Sequence, residues 1–196
     1  MLSAKEDNKW MDSVEIKSAE DYDKMRLFVT SDGSSGLALS PDGDLVSGFS
    51  NKKFKRSREL SSLLVLGIQE GATKADAYNT ILPEYYTQFG FKPVSRLKFN
   101  DEFAPPGWDK KLYADFNDGS PDVVFFVWDG GDRETISERL GTFGEYDDLM
   151  SVHRFDKDDY LGILMNQLKN GVKGLLTLHK NSLMKSVAIL MIIMLI

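Results

Sequence analysis

The chain has no cysteine. That absence removes disulfide cross-links, thiolate nucleophiles and cysteine-built zinc sites together. Histidine is nearly missing as well. The only two, His153 and His179, stand apart from each other and from any carboxylate motif. No metal pattern, P-loop or Ser-His-Asp arrangement can be assembled, and each histidine reads as a surface or packed side chain. An excess of positive charge is also lacking. The formal net charge is -6, so the surface as a whole does not invite nucleic acid, and any phosphate site must be local. The opening "MLSAKEDNKWMDS" is charged early and lacks an apolar core, unlike a secretory signal. There is no internal repeat.

What is present is ordinary for a folded protein. Hydrophobic residues make up 42% and charged residues 28%, which excludes collagen-like, mucin-like and broadly disordered classes. A length of 196 residues suffices for one good core, with or without an appendage.

Residues 1 to 25 are polar and partly helical, with Asp12 or Ser13 as the expected helix cap. From Met25 the pattern becomes strand-like. Three strands are expected, Arg26 to Thr30, Gly36 to Ser40 and Asp44 to Ser50, separated by "SDGSSG" and "SPDGD". In Pro-Asp-Gly the proline presets its own φ and the glycine accepts a positive one, so the three form an antiparallel meander. "RELSSLLVLGIQEG" places Leu60, Leu63, Leu64, Gly67 and Ile68 at helical spacing, stopped by Gly71. "TKADAYN" reads as a strand. Pro83 suits the first turn of a second helix that Gly90 ends. "KPVSRLKF" is a strand, and "NDEFAPPGWDKK" a rigid loop with Trp108 as an anchor. "PDVVFFVWDGG" is a strand buried on both faces, with Asp122 hydrogen-bonding at its start. The expected class is therefore α+β: a mixed, mostly antiparallel sheet flanked by helices.

Residues 1–20 are expected to form an N-terminal polar segment, 20–130 the main domain, 131–159 a charged linker and 160–196 a helical, increasingly apolar segment. The last ten residues, "VAILMIIMLI", carry no polar side chain. Burying each is worth roughly 1.5–3 kcal/mol, so they need a destination. Three are open: the domain's own core, a membrane with Lys180 and Lys185 snorkelling, or an oligomer or assembly contact through residues 183–196. A spanning helix needs about 20 residues, more than this run provides.

The order of elements and the run "YYTQFGF" resemble the GNAT superfamily of acyl-coenzyme A-dependent N-acetyltransferases. The longer stretch "GATKADAY...LPEYYTQFGFKPVSRLKFNDEFAPPGWD...PDVVFFV" is similar to GNAT-like domains encoded by bacteriophages. The resemblance covers about half the chain. It implies acetyl or acyl transfer from acetyl-CoA or another acyl-CoA to an amine. Tyr86, four residues before the glycine of the Gly-Phe pair, is then the general acid for the departing thiolate, and Tyr85 is packing or substrate wall. The backbone around Val46, Gly48 and Phe49 is expected to face the pantetheine arm, and Asn79 to be a polar cofactor contact.

For the pyrophosphate the family uses a glycine-containing loop before a helix. Here that place holds "KKFKRSRELSS", without the glycines. Lys53, Lys55, Arg56, Ser57 and Arg58 then supply side-chain contacts to phosphates in place of backbone ones, or they are a solvated loop. Asp101 and Glu102 are candidates to hold a cationic amine acceptor. The alternative of a different class is a non-catalytic GNAT-fold phage protein. It would act in a virion, in ejection or in host interaction, anchored through its apolar C-terminus. The corresponding locations are the host cytoplasm or the virion, with membrane association open.

Overall fold

The computed structural model describes residues 9–51, 59–128, 154–155, 162–163 and 165–170. The basic run Lys53 to Arg58, His153, His179 and the apolar residues 183–196 lie outside them. Asn166, within 165–170, bonds through its side chain to the sheet described below.

The architecture is α+β. Strands β1 (Arg26–Val29), β2 (Ser35–Leu39) and β3 (Asp44–Ser50) form the expected meander. Gly43 takes φ +83° in the Pro-Asp-Gly turn, as a turn of this chemistry demands. The sheet continues through β4 (Lys74–Tyr78), β5 (Phe91–Leu97), β6 (Val123–Trp128) and a two-residue β7 (Arg154–Phe155), in the order β1-β2-β3-β4-β6-β5-β7. Strand β7 runs parallel beside β5, so pairing reaches into the stretch read from sequence as a charged linker.

Helix α1 (Ala19–Tyr22) is capped by Ser18, whose hydroxyl accepts from the Asp21 N–H. The expected caps Asp12 and Ser13 instead lie in a 3-10 turn, Lys9–Ser13, where the Ser13 hydroxyl donates back to the Trp10 carbonyl. A serine followed by alanine and two acids is the better helix start, because the acids also favour the N-terminal end of the dipole.

Helix α2 (Glu59–Gln69) lays Leu64, Val65, Gly67 and Ile68 on the sheet. It ends in a paired cap: Gly71 N–H bonds to Ile68 O, Ala72 N–H bonds to Gly67 O, and Gly71 has φ +113°. This is the left-handed C-terminal closure that glycine permits. Helix α3 (Leu82–Thr87) starts with Pro83 in its first turn, and Gly90 follows with φ +83°.

The main core lies between α2, α3 and one face of the sheet, with Leu37, Leu45, Ile68, Ala75, Ala77, Phe89, Phe91 and Phe126 among its buried members. The N-terminal segment covers part of the other face, where Met11 and Phe49 are buried with Val14 against them. The Asn166 amide donates to Val94 O at 2.6 Å and to Ser95 Oγ at 2.7 Å. The register of β5 on β6 shifts between Pro93 and Ser95, so Asn166 satisfies the carbonyl that this bulge removes from the ladder.

Candidate functional site

Two features of the sheet open a cavity. The first is the parallel contact of β3 with β4, which is confined to Asp44 opposite Lys74 and Leu45 opposite Ala75. Beyond these pairs β3 stays with β2 and β4 stays with β6, so the two strands part. The second is a bulge in β3. Between the Gly36–Phe49 and Ala38–Val46 pairs β3 carries one residue more than β2, and Ser47 takes φ +55°. A non-glycine residue held there stores strain of about 1–3 kcal/mol. The surroundings hold it in place: Ser47 Oγ donates to Glu15 O at 2.8 Å and accepts from Tyr22 Oη at 2.8 Å.

The resulting cavity has a volume of about 560 Å³, within the range of small-molecule sites. Strand β3 contributes Leu45 to Gly48, β4 contributes Asp76 to Tyr78, and α3 contributes Leu82 and Tyr86. The N-terminal segment 12–16 and the loop 103–106 wall it from outside. The loop is held rigid by rings. Trp108 stacks on Tyr113 at 4.1 Å, lies 4.7 Å from Tyr78, and donates its indole N–H to Gly119 O at 2.9 Å.

Of the sequence candidates, Tyr86, Val46 and Gly48 line this cavity. The Tyr86 ring packs on Phe91 and Phe126, both at 5.7 Å, and its hydroxyl lies 3.8 Å from where a Cβ on Gly48 would stand. That hydroxyl takes no hydrogen bond among the described residues. Burial, then the negative charge of Asp76, pushes the phenol well above its ordinary range, so Tyr86 stays protonated through neutral pH.

Three other candidates stand away from the cavity lining. Phe49 is buried with Met11 and its ring lies over Gly36. Asn79 follows β4 and donates its backbone N–H to Asp122 O at 2.7 Å. Tyr85 shares a hydrogen bond of 2.8 Å with Ser61 and packs on Phe89. Asp101 and Glu102 are exposed and lie just outside the cavity lining, which begins at Phe103 on that loop, and Asp101 pairs with Lys110 at 2.5 Å.

The acids that do face it are Asp12, Glu15 and Asp76. Asp76 has open surface, yet loss of surrounding water raises its pKa to about 6, with Glu15 adding to the effect and Lys17 and Lys74 opposing it. The carboxylate is surface-accessible and opens on to the cavity. Neighbouring Asp44 is raised further, to about 7, by burial and then by Asp76. Sequence reasoning passed over Asp76. Its signal was the alternation in "KADAY", where an aspartate sits between two alanines that are buried in the core, in a strand position that aspartate disfavours.

Among the described residues no group of acids and histidines is placed to hold a metal ion, and no helix is long and apolar enough to cross a membrane. No family model matches the chain, and no curated protein or solved structure matches it either.

Proposed function

We propose that the protein transfers an acyl group from acyl-coenzyme A to an amine, with the GNAT-like arrangement that the sequence resembles. The single observation that carries this is the parting of parallel β3 and β4 with the Tyr86 hydroxyl, unbonded among the described residues, standing in the gap. A narrow thioester-bearing arm fits between two diverging strands, where Val46 and Gly48 offer backbone and no large side chain. A Cβ on Gly48 would stand 3.8 Å from the Tyr86 hydroxyl, so a longer side chain there would reach the phenol.

The chemistry follows from the phenol. Acyl transfer separates charge onto sulfur, and a donor aimed at that sulfur lowers the barrier. A thiol of ordinary type titrates at about 8.5, below a phenol that burial has pushed up. Full proton transfer from Tyr86 is therefore uphill. Its larger contribution is a hydrogen bond to sulfur as the C–S bond breaks, with the proton following as the thiol leaves.

A second reading has its own observation. Helix α2 begins with Glu59, whose carboxylate accepts from Ser34 Oγ at 2.7 Å. A helix N-terminus favours an anion, and here the chain supplies one where a pyrophosphate would otherwise sit. This favours a non-catalytic GNAT-fold protein, in a phage virion or at a host surface, that has kept the scaffold without the cofactor.

Kinetics of Tyr86→Phe separate the two. Under acyl transfer the variant binds acetyl-CoA as the parent does and loses on the order of 10²-fold in kcat, the scale of a positioned acid. Unchanged kcat removes Tyr86 from the mechanism.

A further inference from the structure

We propose that the protein self-associates through the open edge of β1, two copies joining their sheets antiparallel across a two-fold axis at Phe28; the inference stands apart from the acyl-transfer reading. Among the described strands β1 ends the sheet and pairs on one side only, with β2. Leu27 is 54% exposed and Val29 56%. They stand opposite Ala38 and Gly36, on the face where the Phe49 ring lies over Gly36. Phe28 points the other way, on to the main core. Arg26–Val29 contains neither lysine nor proline, two usual means of blunting a sheet edge.

The backbone of this edge is set for pairing. The Thr30 N–H donates to Ser35 O at 3.0 Å, and bonded pairs alternate along an antiparallel ladder. Phe28 with Leu37 and Arg26 with Leu39 are therefore the bonded pairs to β2. Leu27 and Val29 turn their N–H and C=O groups to the open side, where no hydrogen bond takes them among the described residues.

A second copy is the occupant that fits, because the strand is complementary to itself. Residues opposite each other in a ladder share a face. Of the registers that keep both cores on one side, the one with Phe28 opposite Phe28 sets Leu27 opposite Val29 and leaves none of their open groups unbonded. Each such pair exchanges both of its N–H···O bonds, and the exposed apolar side chains meet as cross-strand neighbours. The charges agree with this register. It brings Lys24 of one copy beside Asp32 of the other, since the two are equally far from Phe28 in sequence. Both are exposed. Lys24 stands 3.9 Å from Asp21, too far for a hydrogen bond, and Asp32 accepts from neutral donors, the Thr30 hydroxyl and the Ser34 N–H.

The test is sedimentation equilibrium of the full chain from micromolar to submillimolar concentration, where a dimer should appear as the concentration rises. Val29→Pro removes one open N–H from each copy and should weaken association about tenfold. Proline is tolerated where the N–H faces an open edge, which urea unfolding checks. The chain has no cysteine, so a single introduced one reads the register. Phe28→Cys should give a disulfide-linked dimer on mild oxidation, because the two sulfurs then face each other directly. Leu27→Cys should link far more slowly, because its copies lie on a diagonal about 7–8 Å apart. A parent that stays monomeric at submillimolar concentration, or Leu27→Cys linking as fast as Phe28→Cys, overturns the inference. So does a dimer that a folded Val29→Pro keeps at parental affinity, which would move the contact to another surface, residues 183–196 among them. If Val29→Pro does not fold, the two cysteine variants decide.

Discussion

Replacing Asp44 by asparagine should stabilise the protein at neutral pH. Asp44 is half-buried beside Asp76, and its pKa rises from 3.8 to about 7. Each unit of such a shift corresponds to about 1.4 kcal/mol, which puts the ceiling at about 4 kcal/mol. Partial exposure and the protonation of Asp76 in the same range reduce this to about 2 kcal/mol. The sign follows from proton counting. Between pH 4 and 7 the folded protein holds a proton on Asp44 that the unfolded chain has lost, so stability falls as pH rises through that window and the loss is complete above about 7. Asp42 behaves oppositely, because its bond from Lys74 holds its pKa below the usual value. Its contribution is lost only in stronger acid. Urea unfolding at pH 5, 6, 7 and 8 reads the effect. The parent should gain about 2 kcal/mol from pH 8 to pH 5. Asp44→Asn should hold most of that gain already at pH 8 and show a flatter profile. A parent whose stability is level or declines from pH 8 to 5, or a variant no more stable than the parent at pH 8, refutes the reasoning.

Two further substitutions probe the walls and the cofactor end of the site. Gly119 has φ +80°, and a Cβ there would stand 2.7 Å from the Lys110 Cα. Gly119→Ala should cost about 3 kcal/mol in chemical unfolding, from left-handed backbone strain plus a backbone clash, and should shift Trp108 fluorescence because the indole bonds to Gly119 O. Arg56→Ala with Arg58→Ala should weaken acetyl-CoA binding, more so at low salt; equal affinity returns that run to solvated surface.

Much of the architecture was legible because its signals are local. The Asp-Gly turns, the helical spacing from Leu60 to Ile68 with Gly71 after it, and Pro83 before Gly90 each act within a few residues. The features that build the site are not local. The bulge at Ser47 depends on hydrogen bonds from Tyr22 and to Glu15, which lie 25 and 32 residues away. The parting of β3 from β4 is a matter of pairing between strands distant in sequence, with only two residue pairs joining them. Strand β7 is two residues long and leaves no period to read. Asp101 and Glu102 looked suitable as acids in a loop but fall outside the cavity lining, whereas Asp76, which lines it, sat unread inside a strand pattern. Tyr86 was found through its place before Gly-Phe, not through anything in the helix itself.

The most direct measurement is calorimetric titration of the full chain with acetyl-CoA. The account expects a single site with micromolar affinity that Gly48→Leu abolishes, because that side chain would project toward the Tyr86 hydroxyl and fill the gap between β3 and β4. No heat of binding at millimolar acetyl-CoA, or binding untouched by Gly48→Leu, contradicts it.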